Sequence, residues 1–100
     1  MKVVWTRNAT RELRGIHDDI AQNSLKYAQG MVDRITRRTK SLARLPQLGA
    51  QVPEYEDESI RELPEHPYRI IYRIHKGQVQ ILSVVHDARP LPPEALGSPH

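Results

Sequence analysis

The stretch from Tyr68 to His86, YRIIYRIHKGQVQILSVVH, leaves a chain of this kind little choice of fold. Its first part, Tyr68 to Ile74, is β-branched and aromatic with few helix formers, and such residues fit a pleated strand. His75-Lys76-Gly77-Gln78 supplies a Gly-containing turn, and Val79 to Val85 reads as a second strand. Strands joined so tightly pair antiparallel, because a parallel return needs a crossover of about a dozen residues or more. Alternation puts Tyr68, Ile70, Tyr72 and Ile74 on one face and Arg69, Ile71 and Arg73 on the other. In the second strand Val79, Ile81, Ser83 and Val85 alternate with Gln80, Leu82, Val84 and His86. One face of this hairpin is apolar and must be covered. The other carries Arg69, Arg73 and, in one choice of register, His86, and function is expected there.

The cover is visible upstream. Lys2-Val3-Val4-Trp5 reads as a short strand, and Thr6 is a good N-cap for a helix beginning at Arg7. From Arg7 to about position 22, Ala9, Leu13, Ile16 and Ile20 recur at the spacing of one buried helix stripe. Gly15 is costly inside a helix, which suggests a close helix–helix approach. His17 lies beside the stripe and is expected to be packed or solvated. Ser24 can cap a second helix over 25–45, with Ala28, Met31, Val32, Ile35, Leu42 and Leu45 on its apolar side and Thr39 filling the gap. Arg34, Arg37, Arg38, Lys40 and Arg44 fall mostly opposite, and Pro46 is expected to stop the helix. Two amphipathic helices joined this closely form an antiparallel hairpin whose common apolar face needs the sheet.

The chain has 100 residues, enough for one domain with a modest core. That domain is expected to occupy 1–90, followed by a Pro-containing tail over 91–100. With no cysteine there is no disulfide framework, thiolate metal site or thiol nucleophile. No apolar run approaches the ~20 residues of a membrane span, and Met1 to Trp5 is too short for a signal peptide, so a cytoplasmic protein is expected. A net charge of +3 hides an uneven distribution. Positions 1–50 hold ten Lys/Arg against four Asp/Glu, and positions 51–100 hold five against eight. A basic first half suits an acidic partner or a nucleic acid, and equally a solvated helix face. The connector 46–58, PQLGAQVPEYEDE, is acidic, and Ser59-Ile60-Arg61-Glu62-Leu63 reads as another short strand.

The expected order is β-α-α-β-β-β. This is an α+β fold with a helical hairpin on one face of a small, mostly antiparallel four-stranded sheet. At this point the chain resembles the RelE/ParE superfamily of toxins from type II toxin–antitoxin modules, nearer the ParE branch. The matching pieces are Ala9, Leu13 and Ile16 in the first helix and Ala28 through Pro46 in and after the second. Then come Leu48 to Glu54 (LGAQVPE), Ile60 to Leu63 (IREL), Tyr68 to Arg73 (YRIIYR) and Ile81 to Arg89 (ILSVVHDAR). Together they span positions 3 to about 90.

The resemblance implies a toxin held inactive by a cognate antitoxin in a heterocomplex, with no cofactor, no metal and no membrane partner. ParE-like members poison DNA gyrase by binding it, whereas RelE-like members cut messenger RNA on the ribosome. Metal-free RNA cleavage needs a general base, a general acid and cations for the charged phosphorane. Arg61, Arg69 and Arg73 are candidates to hold phosphate, His86 to move a proton, and Glu54 to act as a base. Against a nuclease stand the acidic, lysine-free connector and Asp87, rather than an aromatic residue, after His86. As contacts for target or antitoxin the candidates are Arg61, Arg69, Arg73, His86, Arg89, Arg34, Arg37 and Arg38. Plainer roles stand beside these: Arg61 and Arg69 paired with nearby carboxylates, His86 closing a strand, Tyr68 and Tyr72 in the core, and the α-helical arginines on a solvated face.

Overall fold

The structure, a computed structural model, describes residues 1–91. The elements are β1 (Lys2–Trp5), α1 (Arg7–Ala21), α2 (Leu25–Lys40) with a 3₁₀ turn at Ser41–Ala43, β2 (Ala50–Gln51), β3 (Ile60–Glu65), β4 (Tyr68–His75) and β5 (Gln78–His86). Thr6 Oγ1 accepts from the Ala9 N–H and Ser24 Oγ from the Tyr27 N–H, so both expected caps are present. The sheet order is β1-β5-β4-β3-β2; β1 runs parallel to β5, and the other neighbours are antiparallel. Among the described residues it therefore has five strands, not the expected four. The extra strand is Ala50–Gln51, two residues without strand propensity that acquire extended structure by pairing with Glu62 and Arg61 of β3.

Both helices lie on one face. Ala9, Ile35 and Leu42 are fully buried against Leu63, Ile70, Tyr72, Val79, Ile81 and Val84, with Trp5, Leu13, Ile16 and Met31 packed around them. The second helix ends earlier than the stripe predicts. From Ser41 the chain tightens into a 3₁₀ turn of about three residues per turn, so a pattern extrapolated at 3.6 loses phase. Leu42 stays buried, but Leu45 is left exposed. Gly15 marks no close approach either: it is exposed, and a Cβ there would meet nothing within 4 Å.

The hairpin holds the larger correction. Lys76 and Gly77 both take positive φ, 51° and 75°, and make the two-residue turn. Pairing then runs regularly from His75↔Gln78 to Tyr72↔Ile81, but Ile71 pairs with Ser83. Leu82 is an extra residue in β5, a β-bulge, and beyond it the alternation inverts. Val84 joins the helix-side core and Val85 the opposite face. His86, paired with Tyr68, moves to the helix side, away from Arg69 and Arg73. The first two turns of α1 hold the bulge in place. Asn8 Nδ2 donates to the Leu82 carbonyl (2.9 Å), while the Glu12 carboxylate accepts from Ser83 Oγ (2.6 Å) and the Val84 N–H (3.2 Å). These side chains take over ladder bonds that the bulge breaks.

Candidate functional site

On the face away from the helices, Val52, Ile60, Ile71, Val85 and Leu91 form a second apolar cluster with Tyr55 packed against it. The connector after β2 thus folds over the sheet, and Leu91, placed in the tail by sequence, is part of the packed domain. Positions 92–100 lie outside the described residues. At the centre of this cover is Arg69, only 9% exposed. Its Nη1 and Nη2 donate to the two Glu54 oxygens (both 3.0 Å), and its Nε and Nη2 donate to Glu62 (3.1 and 3.0 Å). Glu54 also accepts from the Leu91 N–H at 3.3 Å. Paired guanidinium and carboxylates hold each other charged. The hydrogen bonds from Arg69 outweigh partial burial and lower the Glu54 carboxyl from 4.5 to about 2. The same contacts, led by that with Glu54, push Arg69 up.

A pH dependence arises from this pairing. Because the folded-state value of Glu54 lies below its unfolded one, its contribution is complete above about pH 4.5 and is lost as pH falls towards 2. Urea midpoints are expected to decline over that window, and Glu54→Gln is expected to flatten part of the decline. Identical acid profiles for the two proteins would show that Glu54 is not linked to folding.

Arg73 shares the Arg69 face, opposite Ile60, and helps to keep the nearby Asp57 carboxyl low after the larger effect of the Ser59 hydrogen bonds. Arg61 does not share it. Arg61 pairs with Tyr72 across the ladder and so faces the helix side, where Nη1 donates to the Gly49 carbonyl at 2.7 Å. Tyr72, fully buried, donates its hydroxyl to the Pro46 carbonyl (2.7 Å) and accepts from the Gly49 N–H (2.8 Å). Burial pushes that hydroxyl up in pKa.

His86 ends β5 with its side chain 54% exposed. Its ring meets Tyr68 edge-on at 5.8 Å, and Nδ1 lies 3.1 Å from the Ala88 N and 3.5 Å from Asp87 Oδ1. Asp87 Oδ2 lies 3.0 Å from His66 Nδ1, and Arg89 is exposed in the turn beyond. In register, His86 stands four positions along β4 from the level of Arg61, about 13 Å at 3.3 Å per residue, and two strands over. The candidate set Arg61, Arg73 and His86 is therefore divided between two faces and two ends of the sheet. Among the described residues, no group of three or more metal-ligating side chains converges, and no helix is long and apolar enough to cross a membrane.

The basic side of α2 is a separate surface. Arg34 reaches Glu65 and the His66 carbonyl (both 3.2 Å), and Arg34, Arg37, Arg38, Ser41 and Glu65 line one shallow depression. Beside it a groove of about 610 Å³ runs between the helices, lined by Ile20, Lys26, Tyr27, Gly30, Met31 and Arg34. Tyr27 and Leu25 are 77% and 67% exposed. Neither residue is among the contacts expected from sequence. Their signal is angular: at 100° per residue they sit about 80° to either side of Ile35, on the rims of the apolar stripe.

A helical hairpin on one face of a five-stranded mixed sheet, with the opposite face half closed by an acidic connector, defines an α+β domain of the RelE/ParE type. Residues 3–91 match the family model for the ParE toxin of the type II toxin–antitoxin system parDE. The chain belongs to that family. It superposes on a chain of the chromosomal ParDE toxin–antitoxin system from P. aeruginosa with a TM-score of 0.73 and 27% identity, over 86% of this chain and 95% of that one. The toxin–antitoxin complex RelBE2 from Mycobacterium tuberculosis gives a TM-score of 0.54 at 26% identity, over 85% and 95% of the two chains. The YoeB dimer from Staphylococcus aureus gives 0.59 at 16% identity, over 86% and 95%, a likeness of fold alone. No curated protein gives a significant match.

Proposed function

We propose that this ParE-family toxin acts by occupying DNA gyrase in the cytoplasm, arresting growth, and that a cognate antitoxin neutralises it in a heterocomplex. The observation that carries this reading is the disposition of the arginines. Arg69 is saturated by Glu54 and Glu62, and Arg61 and Arg73 point to opposite faces. Cleavage of RNA calls for cations gathered around one phosphate with a proton donor beside them, and two carboxylates on the most buried arginine repel phosphate instead. Binding needs no such convergence. The exposed surfaces that serve it are the corner with His86 and Arg89, and the α2 face with Arg34, Arg37 and Arg38 beside exposed Leu25 and Tyr27. An amphipathic antitoxin segment carrying acidic residues fits the α2 face by charge and by apolar area.

The test is inhibition of supercoiling by purified gyrase, run beside ribosome-dependent cleavage of messenger RNA. Inhibition without cleavage is expected, and His86→Gln is expected to keep toxicity within a few-fold. Loss of a general acid or base would instead lower activity by about 10²–10⁴-fold. Cleavage by the native protein that disappears in His86→Gln would place it with the nucleases.

A further inference from the structure

Arg61 is a part-buried cation with no counter-charge among the described residues. Among the described residues no carboxylate lies within ion-pair distance of it, whereas Arg69 holds two and Arg34 one. Its Nη1 is bound to the Gly49 carbonyl, and its Nε is buried with no hydrogen-bond partner among the described residues. The neighbouring groups do not fill this gap, since the Tyr72 hydroxyl is spent on Pro46 and Gly49. A guanidinium held half out of water without a counter-charge is unfavourable by itself, and a carboxylate that reaches its accessible edge supplies that charge.

The surroundings say which ligand. Gly49 directly succeeds a turn closed by the Leu48 N–H on the Leu45 carbonyl at 3.0 Å. Arg44, Leu45, Pro46, Gln47 and Leu48 line a groove of about 350 Å³, with Leu45 and Leu48 53% and 42% exposed. Exposed Glu56 and Glu58 in the connector disfavour a polyanion such as RNA. An arginine beside two exposed leucines suits a peptide that has a carboxylate and apolar neighbours.

We propose that Arg61 receives a side-chain carboxylate from an acidic segment of the antitoxin, whose apolar residues rest on Leu45 and Leu48. This rests on the toxin–antitoxin reading above. It adds a second anchor, beyond the end of α2 opposite Tyr27; the Lys40 terminus lies about 20 Å along the helix from Tyr27 at 1.5 Å per residue.

The experiment measures affinity of the full-length toxin for the purified protein encoded beside it, with Arg61→Gln and Arg61→Lys compared by thermal melting first. Removing one partner of a desolvated charge pair is expected to weaken binding at least about thirtyfold. Arg61→Lys, which keeps charge without the fork, is expected to fall between the native protein and Arg61→Gln. Unchanged affinity in Arg61→Gln overturns the proposal. If the native toxin fails to bind its neighbour at all, the toxin–antitoxin reading fails, and a second measurement still decides the role of Arg61. In the ¹⁵N-arginine-labelled native protein, the Arg61 Nε–H signal is expected to shift with a capped peptide Leu-Leu-Glu-Glu-Leu and not with a ten-nucleotide RNA. A response to RNA alone, or to neither, overturns the proposal.

Discussion

Arg69→Met is expected to destabilise the domain by about 3–5 kcal/mol, the cost of stripping the partner from a buried ion pair. The substitution leaves Glu54 and Glu62 facing each other without the cation whose four hydrogen bonds hold them. It also weakens the hold of the connector and Leu91 on the sheet, because Glu54 links both to Arg69. For a domain of this size, 3 kcal/mol corresponds to a fall in melting temperature of roughly 12 °C or more. Glu54→Gln added to Arg69→Met should recover part of the loss, since the second change removes an orphaned charge. Additive losses would mean that the two side chains act independently. A melting temperature within a few degrees of the native protein would show the cluster to be a surface ornament.

The second large effect is expected at Gly49. A Cβ placed there would lie 2.5 Å from the Glu62 carbonyl oxygen and 2.8 Å from the Tyr72 ring and hydroxyl. The nearest atom belongs to the backbone of β3 and cannot step aside, so Gly49→Ala must push the 46–49 loop off the sheet. That breaks the Gly49 bond to Tyr72 and loosens the bonds to Pro46 and Arg61. A loss of about 3 kcal/mol is expected, from overpacking together with an unsatisfied buried hydroxyl. Gly15→Ala is the control. With open space around it and a helical backbone, it should gain up to about 1 kcal/mol. If the two alanine variants unfolded at the same urea concentration, the contact at Gly49 would not be tight.

Both predictions concern contacts that no local pattern announces. Arg69 and Glu54 are fifteen positions apart and meet across a connector whose path has no periodicity. By sequence Arg69 suits phosphate, or pairing with Glu62 or the connector; the fold gives it both carboxylates at once. Gly49 stands in the sequence only as one glycine in a loop. Gly15 draws attention because helix glycine is costly, and the close approach it suggests is absent.

What the sequence determined by itself is what short-range physics governs. The apolar spacing of Ala9, Leu13 and Ile16 and of Ala28, Met31 and Ile35 defined two helix faces, and Thr6 and Ser24 marked where those helices begin. The β-branched run and the Lys76-Gly77 turn defined the hairpin, and with it the side the helices must cover. The tertiary structure alone decided register and facing. Leu82 bulges because α1 supplies Asn8 and Glu12 to take the stranded backbone groups of Leu82 and Val84. That one extra residue puts Val84 and His86 on the helix side and Val85 on the opposite face. Ala50 and Gln51 form a strand only because β3 offers a free edge. A side chain's period of two along a strand is a local property. Which face it reaches depends on every insertion between it and the turn, and those are settled by partners far away in sequence.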